Sequence, residues 1–265
     1  MSKANIDYVK AFINDKYMLR NNVVSNQIEY FKKFETEKNK TYDKDLKRFE
    51  FKPVENLERW EILNEDNILI DLLSNHYKIS VSLLISLLKS NFVPMYNPFK
   101  DYFESLPAWD GINHIENLSK YIVLKNEPEQ RERFNRMFAK MFVRSVACSL
   151  EVQLNKQAFV LVHYTQNSGK TTFFRWLVPP KLQTYYAENI STDKDSLIAL
   201  CENFIINLDE LSTLSKQDIT ALKSVMSKDF IKERPPYGRK PVVMKRRCNF
   251  VGSTNKTEFL TDETG

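Results

Sequence analysis

The strongest constraint on this chain is a change of period at residue 158. Ala158 to Val162, AFVLV, is a continuous apolar run of strand length. A polar segment, HYTQNSGKTT, follows it, and then FFRWL, which predicts a helix over Thr171 to Leu177. Gly169, Lys170 and Thr171 stand where that strand gives way to that helix. This is the G-K-[ST] end of a phosphate-binding loop, and each residue type has a physical reason. Glycine lets backbone N–H groups turn toward phosphate. The lysine ammonium reaches the β- and γ-phosphates, and the threonine hydroxyl reaches Mg²⁺. The N-terminus of the helix adds its dipole and free N–H groups. Asn167, Ser168, Gly169, Lys170, Thr171 and Thr172 are therefore the expected nucleotide-binding residues. The full pattern asks for a second glycine at position 164, where the chain has Tyr164, preceded by His163. A plain tight turn with a solvent-exposed lysine is the competing reading.

Two more apolar runs of strand length follow, FIINL at Phe204 to Leu208 and NFVGS at Asn249 to Ser253, with a helical stretch at Lys216 to Ser227. Strands alternating with helices predict an α/β fold, a parallel sheet with flanking helices. The first of these runs ends in Asp209 and Glu210. An Asp there is expected to hold Mg²⁺ and the next Glu to activate the attacking water; a charged turn is the alternative. The other run delivers Ser253, Thr254 and Asn255 to its carboxyl edge, where ligands sit in open parallel sheets. Asn255 is the candidate contact to the γ-phosphate, against ordinary turn chemistry.

Between these strands, Lys228 to Arg247 carries eight basic residues against two acids, while the whole chain carries only +5. Its centre, RPPYGRKP, reads as a turn or hairpin tip. Lys232, Arg234, Tyr237, Arg239 and Lys240 are the candidate contacts to a nucleic-acid backbone, with Tyr237 available for stacking. A solvated basic loop, or arginines facing a neighbouring subunit's nucleotide, are the other readings.

The rest of the chain gives organisation rather than chemistry. Residues 1–90 read as a small, mostly helical domain. In it, Ile28 to Glu35 fits either a strand or a short helix, and Ser80 to Leu88 fits a helix capped by Ser80 or Ser82. Residues 91–111 hold Pro94, Pro98 and Pro107 among six aromatics, which suits a packed connector. Residues 112–265 are the expected catalytic core. It opens with one long helix from Glu129 to Gln153 whose Phe and Met stripe reads as core packing. Cys148, Cys201 and Cys248 are isolated in sequence, as are the three histidines. They form neither a disulfide framework nor a zinc pattern, so any metal ligands are oxygens. MSKANIDYVK has no apolar signal region, and no apolar run approaches the ~18 residues of a membrane span. A cytoplasmic, soluble protein is expected.

Taken together, these segments resemble the virulence-associated protein E family of phages and other mobile elements, itself similar to the superfamily 3 helicase branch of P-loop ATPases. The resemblance rests on FESLPAWDG, NSGKTTFFRWL, FIINLDEL, KERPPYGRKPVVMKRR and NFVGSTNKTEFL, and covers residue 90 to the end. It implies an AAA+-like core, with Lys170 and Thr171 as Walker A residues, Asp209 and Glu210 as Walker B residues and Asn255 as sensor. It also implies ATP and Mg as cofactors, single-stranded DNA as partner and assembly into a ring, expected to be a hexamer. Members of that family continue past the position of Gly265 with an arginine-rich segment that supplies a finger to the neighbour, so weak hydrolysis is expected here. The implied function is an ATP-dependent, helicase-like DNA motor in replication. Two alternatives stand beside it. One is a degenerate or truncated nucleotide-binding module that acts through DNA or protein contacts, and the other is a small-substrate kinase.

Overall fold

The computed structural model describes residues 6–33, 40–43, 48–51, 60–165, 167–189, 193–209, 211, 216–234 and 240–256. The chain forms two compact units, Met1–Asn97 and Pro98–Gly265.

In the first unit, α1 (Ile6–Lys16) leads into β1 (Tyr17–Asn22) and β2 (Gln27–Lys32). A hairpin of β3 (Lys40–Asp43) and β4 (Arg48–Phe51) comes next, then β5 (Glu61–Ile62), α2 (Glu65–Ser74), α3 (Val81–Leu88) and β6 (Met95–Tyr96). Four strands form one sheet in the order β5-β2-β1-β6. Asn22 makes the β1–β2 turn: its Oδ1 accepts the N–H groups of Val24 and Ser25 at 2.9 and 3.2 Å. Helical spacing puts Val9 with Ile13, Ile68 with Leu72, and Leu84 with Leu88 onto one buried core with Tyr17, against which Leu19, Ile28 and Tyr30 pack. The Ser80 hydroxyl caps α3 by accepting the Leu83 N–H at 3.3 Å.

This unit is mixed α/β, which corrects the expectation of a mostly helical domain. The central strand β1, YMLRNN, ends in polar residues, and its Arg20 is held by side chains of other segments. The Arg20 guanidinium lies 3.9 Å from the Trp60 ring and 3.8 Å from the Tyr96 ring, and its Nε donates to Glu29 at 2.5 Å. Periodicity does not register such partners. The segment 91–111 also differs from a separate connector: it supplies β6 to the first unit and α4 (Pro98–Glu104) to the second.

In the second unit, α5 (His114–Ser119) and α6 (Arg131–Ser149) precede β7 (Ala158–Val162). Then come α7 (Lys170–Leu177), a 3-10 turn (Pro180–Tyr185), β8 (Tyr186–Glu188), α8 (Lys194–Glu202), β9 (Ile205–Leu208) and α9 (Lys216–Ser227). The hairpin of β10 (Phe230–Glu233) and β11 (Val242–Lys245) leads to β12 (Asn249–Thr254). α6 is shorter than the predicted helix because Glu151 turns left-handed at φ 61°. Four strands, β7-β12-β9-β8, form a sheet that is parallel throughout. The three strands predicted from apolar runs are all in it.

Phe138 of α6 is fully buried, with ring centroids 5.5 Å from Phe134, 5.1 Å from Phe142, 5.8 Å from Phe159 of β7 and 6.4 Å from Phe173 of α7. The other side of the sheet packs Ile206, Leu208 and Phe250 with Ile198, Leu200, Val225, Ile231 and Met244. Asn249 ties three elements together. Its amide donates to the carbonyls of Ser145 and Phe204, each at 3.1 Å, and its Oδ1 accepts from Asn155 at 3.0 Å.

Candidate functional site

The site lies at the carboxyl edge of the parallel sheet. β12 separates β7 from β9, so the loop after β7 and the acid after β9 flank one strand end. The His163 N–H donates to the Thr254 carbonyl at 3.1 Å and extends the β7–β12 pairing into the loop. Asn167 (φ 54°) and Gly169 (φ 81°) are both left-handed, and Gly169 is the cap of α7. That conformation costs a residue with a Cβ about 1 kcal/mol, which explains a glycine at 169. Lys170 begins the helix and folds back over the loop. Its Nζ donates to Ser168 Oγ at 3.0 Å and to the carbonyls of His163 and Thr165 at 3.4 Å each. Asn167, Ser168, Gly169 and Thr172 are exposed along this edge.

Asp209 is the meeting point. The Thr171 hydroxyl lies 3.2 Å from both of its carboxylate oxygens, and the Ser253 hydroxyl donates to Oδ1. Its own N–H donates to Asn189 Oδ1 at 3.0 Å. Asn189 is left-handed at φ 57°, and its N–H donates to the Asn207 carbonyl at 2.8 Å. Gly252 is required here by close approach. A Cβ on it would sit 2.8 Å from Leu211 Cδ1 and 3.1 Å from the Leu208 carbonyl oxygen.

The fold thus brings together Thr171 and Asp209, both named from sequence, beside Lys170. Asn255 follows the last residue of β12 on the same edge and is half-buried. Glu210 lies outside the described residues, as do Tyr237 and Arg239. Sequence reasoning missed two residues. Ser253 was legible as part of the strand end but not as the hydroxyl that meets Asp209. Asn189 carried no signal, since its partner is 20 residues away and its role rests on a left-handed turn.

At the position of the first pattern glycine, Tyr164 is 83% exposed. Its ring stacks on His163 at 4.7 Å with an interplanar angle of 18°. The oxygens of Thr171, Ser253 and Asp209 form a hard donor set that suits Mg²⁺, an ion that takes one or two carboxylates, keeps several waters and shares substrate phosphates. Among the described residues no group of three or more His, Cys, Asp or Glu side chains could hold a metal ion.

The basic stretch proves heterogeneous. Arg246 and Arg247 are buried and structural. Arg246 donates to the Asn155 carbonyl and lies 5.4 Å from the Phe250 ring, while Arg247 pairs with Glu151 at 2.7 Å. Lys245 donates to the Glu151 carbonyl at 2.7 Å. Their count belongs to the fold and not to an exposed basic patch. On the hairpin, pairing puts Phe230, Lys232 and Val243 on one face, and all three are exposed, as are Arg234 and Lys240. The opposite face buries Ile231 against Met244.

Burial alone pushes the Glu202 carboxyl at the end of α8 up to about 7. It also pushes the thiols of Cys201 and Cys248 up to about 12, so both are inert at neutral pH. All three cysteines are buried.

Comparison with known proteins fits this architecture. The family model described as the virulence-associated protein E-like domain matches residues 103–265. No curated protein matches the sequence. Two solved structures of the NrS-1 C-terminal region, both apo, resemble the fold. One has a TM-score of 0.52 at 12% identity, covering 100% of this chain and 60% of that one. The other, an A form, has a TM-score of 0.51 at 13% identity, covering 97% and 59%. The chain thus spans about three-fifths of each structure's length. Among the described residues no helix is long and apolar enough to cross a membrane.

Proposed function

Because this chain belongs to the virulence-associated protein E-like family, we propose that it is a Mg-dependent ATPase of the P-loop type, working as a helicase-like DNA motor in the replication of a phage or mobile element. One observation carries the reading: Thr171 and Ser253 converge on Asp209 at the carboxyl edge of a parallel sheet, beside a glycine-capped helix that starts with Lys170. A strand interposed between the loop strand and the acid strand supports it, because it puts a third polar edge between phosphate and metal ligands.

Lys170 releases its loop carbonyls to bind the β- and γ-phosphates, and the α7 N-terminus adds its N–H groups. Thr171 and Asp209 hold Mg²⁺, and Ser253 orients the Asp209 carboxylate. Mg²⁺ held by these residues would supply positive charge against the charge that develops on the phosphates. Glu210 takes the proton of the attacking water, and Asn255 contacts the γ-phosphate. The exposed hairpin face with Phe230 and Lys232 grips single-stranded DNA, together with Arg234, Tyr237, Arg239 and Lys240, which follow in sequence. Assembly into a ring, a hexamer in this reading, couples neighbouring sites.

The exposed Tyr164 favours a second reading, a nucleotide-binding module without turnover, because it replaces a loop glycine. ATP turnover and Mg·ATP binding, with and without single-stranded DNA, separate the two. In the ATPase reading Lys170→Ala loses binding, while Glu210→Gln binds ATP and loses turnover by about 10²–10⁴-fold. Binding without turnover in the parent chain supports the module, and unchanged binding in Lys170→Ala rejects both.

A further inference from the structure

The Phe and Met stripe of α6 accounts for one side of that helix; the other side carries charge. Arg133, Arg136 and Lys140 are exposed, and helical spacing puts them on one stripe with Met137, Val143 and Arg144. Glu132, exposed in the first turn, flanks the stripe one turn before Arg136. Among the described residues, none forms an ion pair with Arg133, Arg136 or Lys140. Among the described residues Arg144 donates to the neutral amide of Gln157. Three other arginines of the same unit are paired with acids: Arg131 with Glu127, Arg175 with Glu188, and Arg247 with Glu151. Four cations against one flanking carboxylate leave this face net positive, and such a face suits a polyanion.

We propose that this face of α6 binds the phosphate backbone of duplex DNA. From Arg133 to Lys140 the helix rises about 10 Å, which matches about three base-pair steps of rise along a duplex axis. Duplex is favoured over single strand by what the face lacks. Single-strand binders offer aromatic rings to unstacked bases. Here Phe134, Phe138 and Phe142 pack against one another, and Phe159 meets the first two. The remaining exposed side chains are aliphatic, Met137 at 37% and Val143 at 66%. Such a surface holds a backbone and reads no bases. It is a different surface from the hairpin and takes a different form of DNA, and it does not depend on the nucleotide site.

The test is binding of a fluorescent blunt duplex to the full chain, without nucleotide, between 50 and 200 mM salt. Replacing Arg133, Arg136 and Lys140 together by Gln is expected to make the slope of log affinity against log salt shallower by about 2.7. Over that range the parent then loses roughly 40-fold more affinity than the variant. Each single Gln variant is expected to lower the slope by about 0.9, and Arg133→Lys with Arg136→Lys to keep it. Lys170→Ala binds the duplex like the parent, so failure of the ATPase reading leaves this result standing. No duplex binding by the parent, or an unchanged slope in the triple variant, overturns the proposal. So does a change confined to single-stranded DNA, or a change in self-association without DNA, which would make the stripe a contact between copies.

Discussion

Asp209 takes hydrogen bonds from two hydroxyls that lie 38 and 44 residues away in sequence, one on a helix and one on a strand. Its position therefore depends on close packing at its neighbours, and at Gly252 that packing leaves no room for a Cβ. A single ionisable residue outside the site gives a pH test of the fold. The Glu202 carboxyl is pushed from an ordinary 4.5 up to about 7 by burial. Below about 4.5 the carboxyl is protonated in the folded and unfolded chain alike. Between 4.5 and 7 the folded chain keeps a proton that the unfolded chain has lost, so stability falls as pH rises. Above 7 the folded chain carries the charge at full cost. Glu202→Gln is therefore expected to be more stable than the parent at pH 8 by about 1–2 kcal/mol, solvent screening the rest. The two stabilities merge near pH 4. Urea unfolding at the two pH values checks this, and a variant no more stable at pH 8 contradicts it.

At the scale of elements, α6 does two jobs with two faces. Its buried face joins β7 and α7 through the ring cluster around Phe138. Phe138→Ala leaves a ring-sized cavity and is expected to cost about 3–5 kcal/mol, read as a lower midpoint of denaturation. The hairpin β10–β11 shows the same division of labour: Ile231 and Met244 anchor it, and Phe230, Lys232 and Val243 are turned to solvent. The basic run after it divides by position. Arg246 and Arg247 leave the strand pair and are drawn into the core by the Asn155 carbonyl and by Glu151.

For the whole molecule, the boundary between Asn97 and Pro98 sorts the chemistry. Every described residue of the candidate site, and the whole α6 stripe, lies in the second unit. A chain that starts at Pro98 is expected to fold and to bind Mg·ATP within a few-fold of the full chain, because domains with their own core fold as units. Calorimetric titration of the two chains checks this, and loss of binding in the shorter one would give the first unit a part in the site.

The sequence by itself determined the strands β7, β9 and β12, the helix α7, and Lys170, Thr171 and Asp209 as edge residues. These are local matters of apolar run, period and a residue triplet at a strand–helix junction. Tertiary structure decided the rest, and each case has a long-range cause. Strand order sets β12 between β7 and β9, and that order brings Ser253 to Asp209. A left-handed Asn189 holds the Asp209 backbone from another strand end. Pairing with β2 on one side and β6 on the other makes YMLRNN a central strand, and two rings and a carboxylate hold its Arg20. Whether an arginine serves the core or the surface depended on which carbonyl or carboxylate lay within its reach, and spacing along a chain does not carry that information.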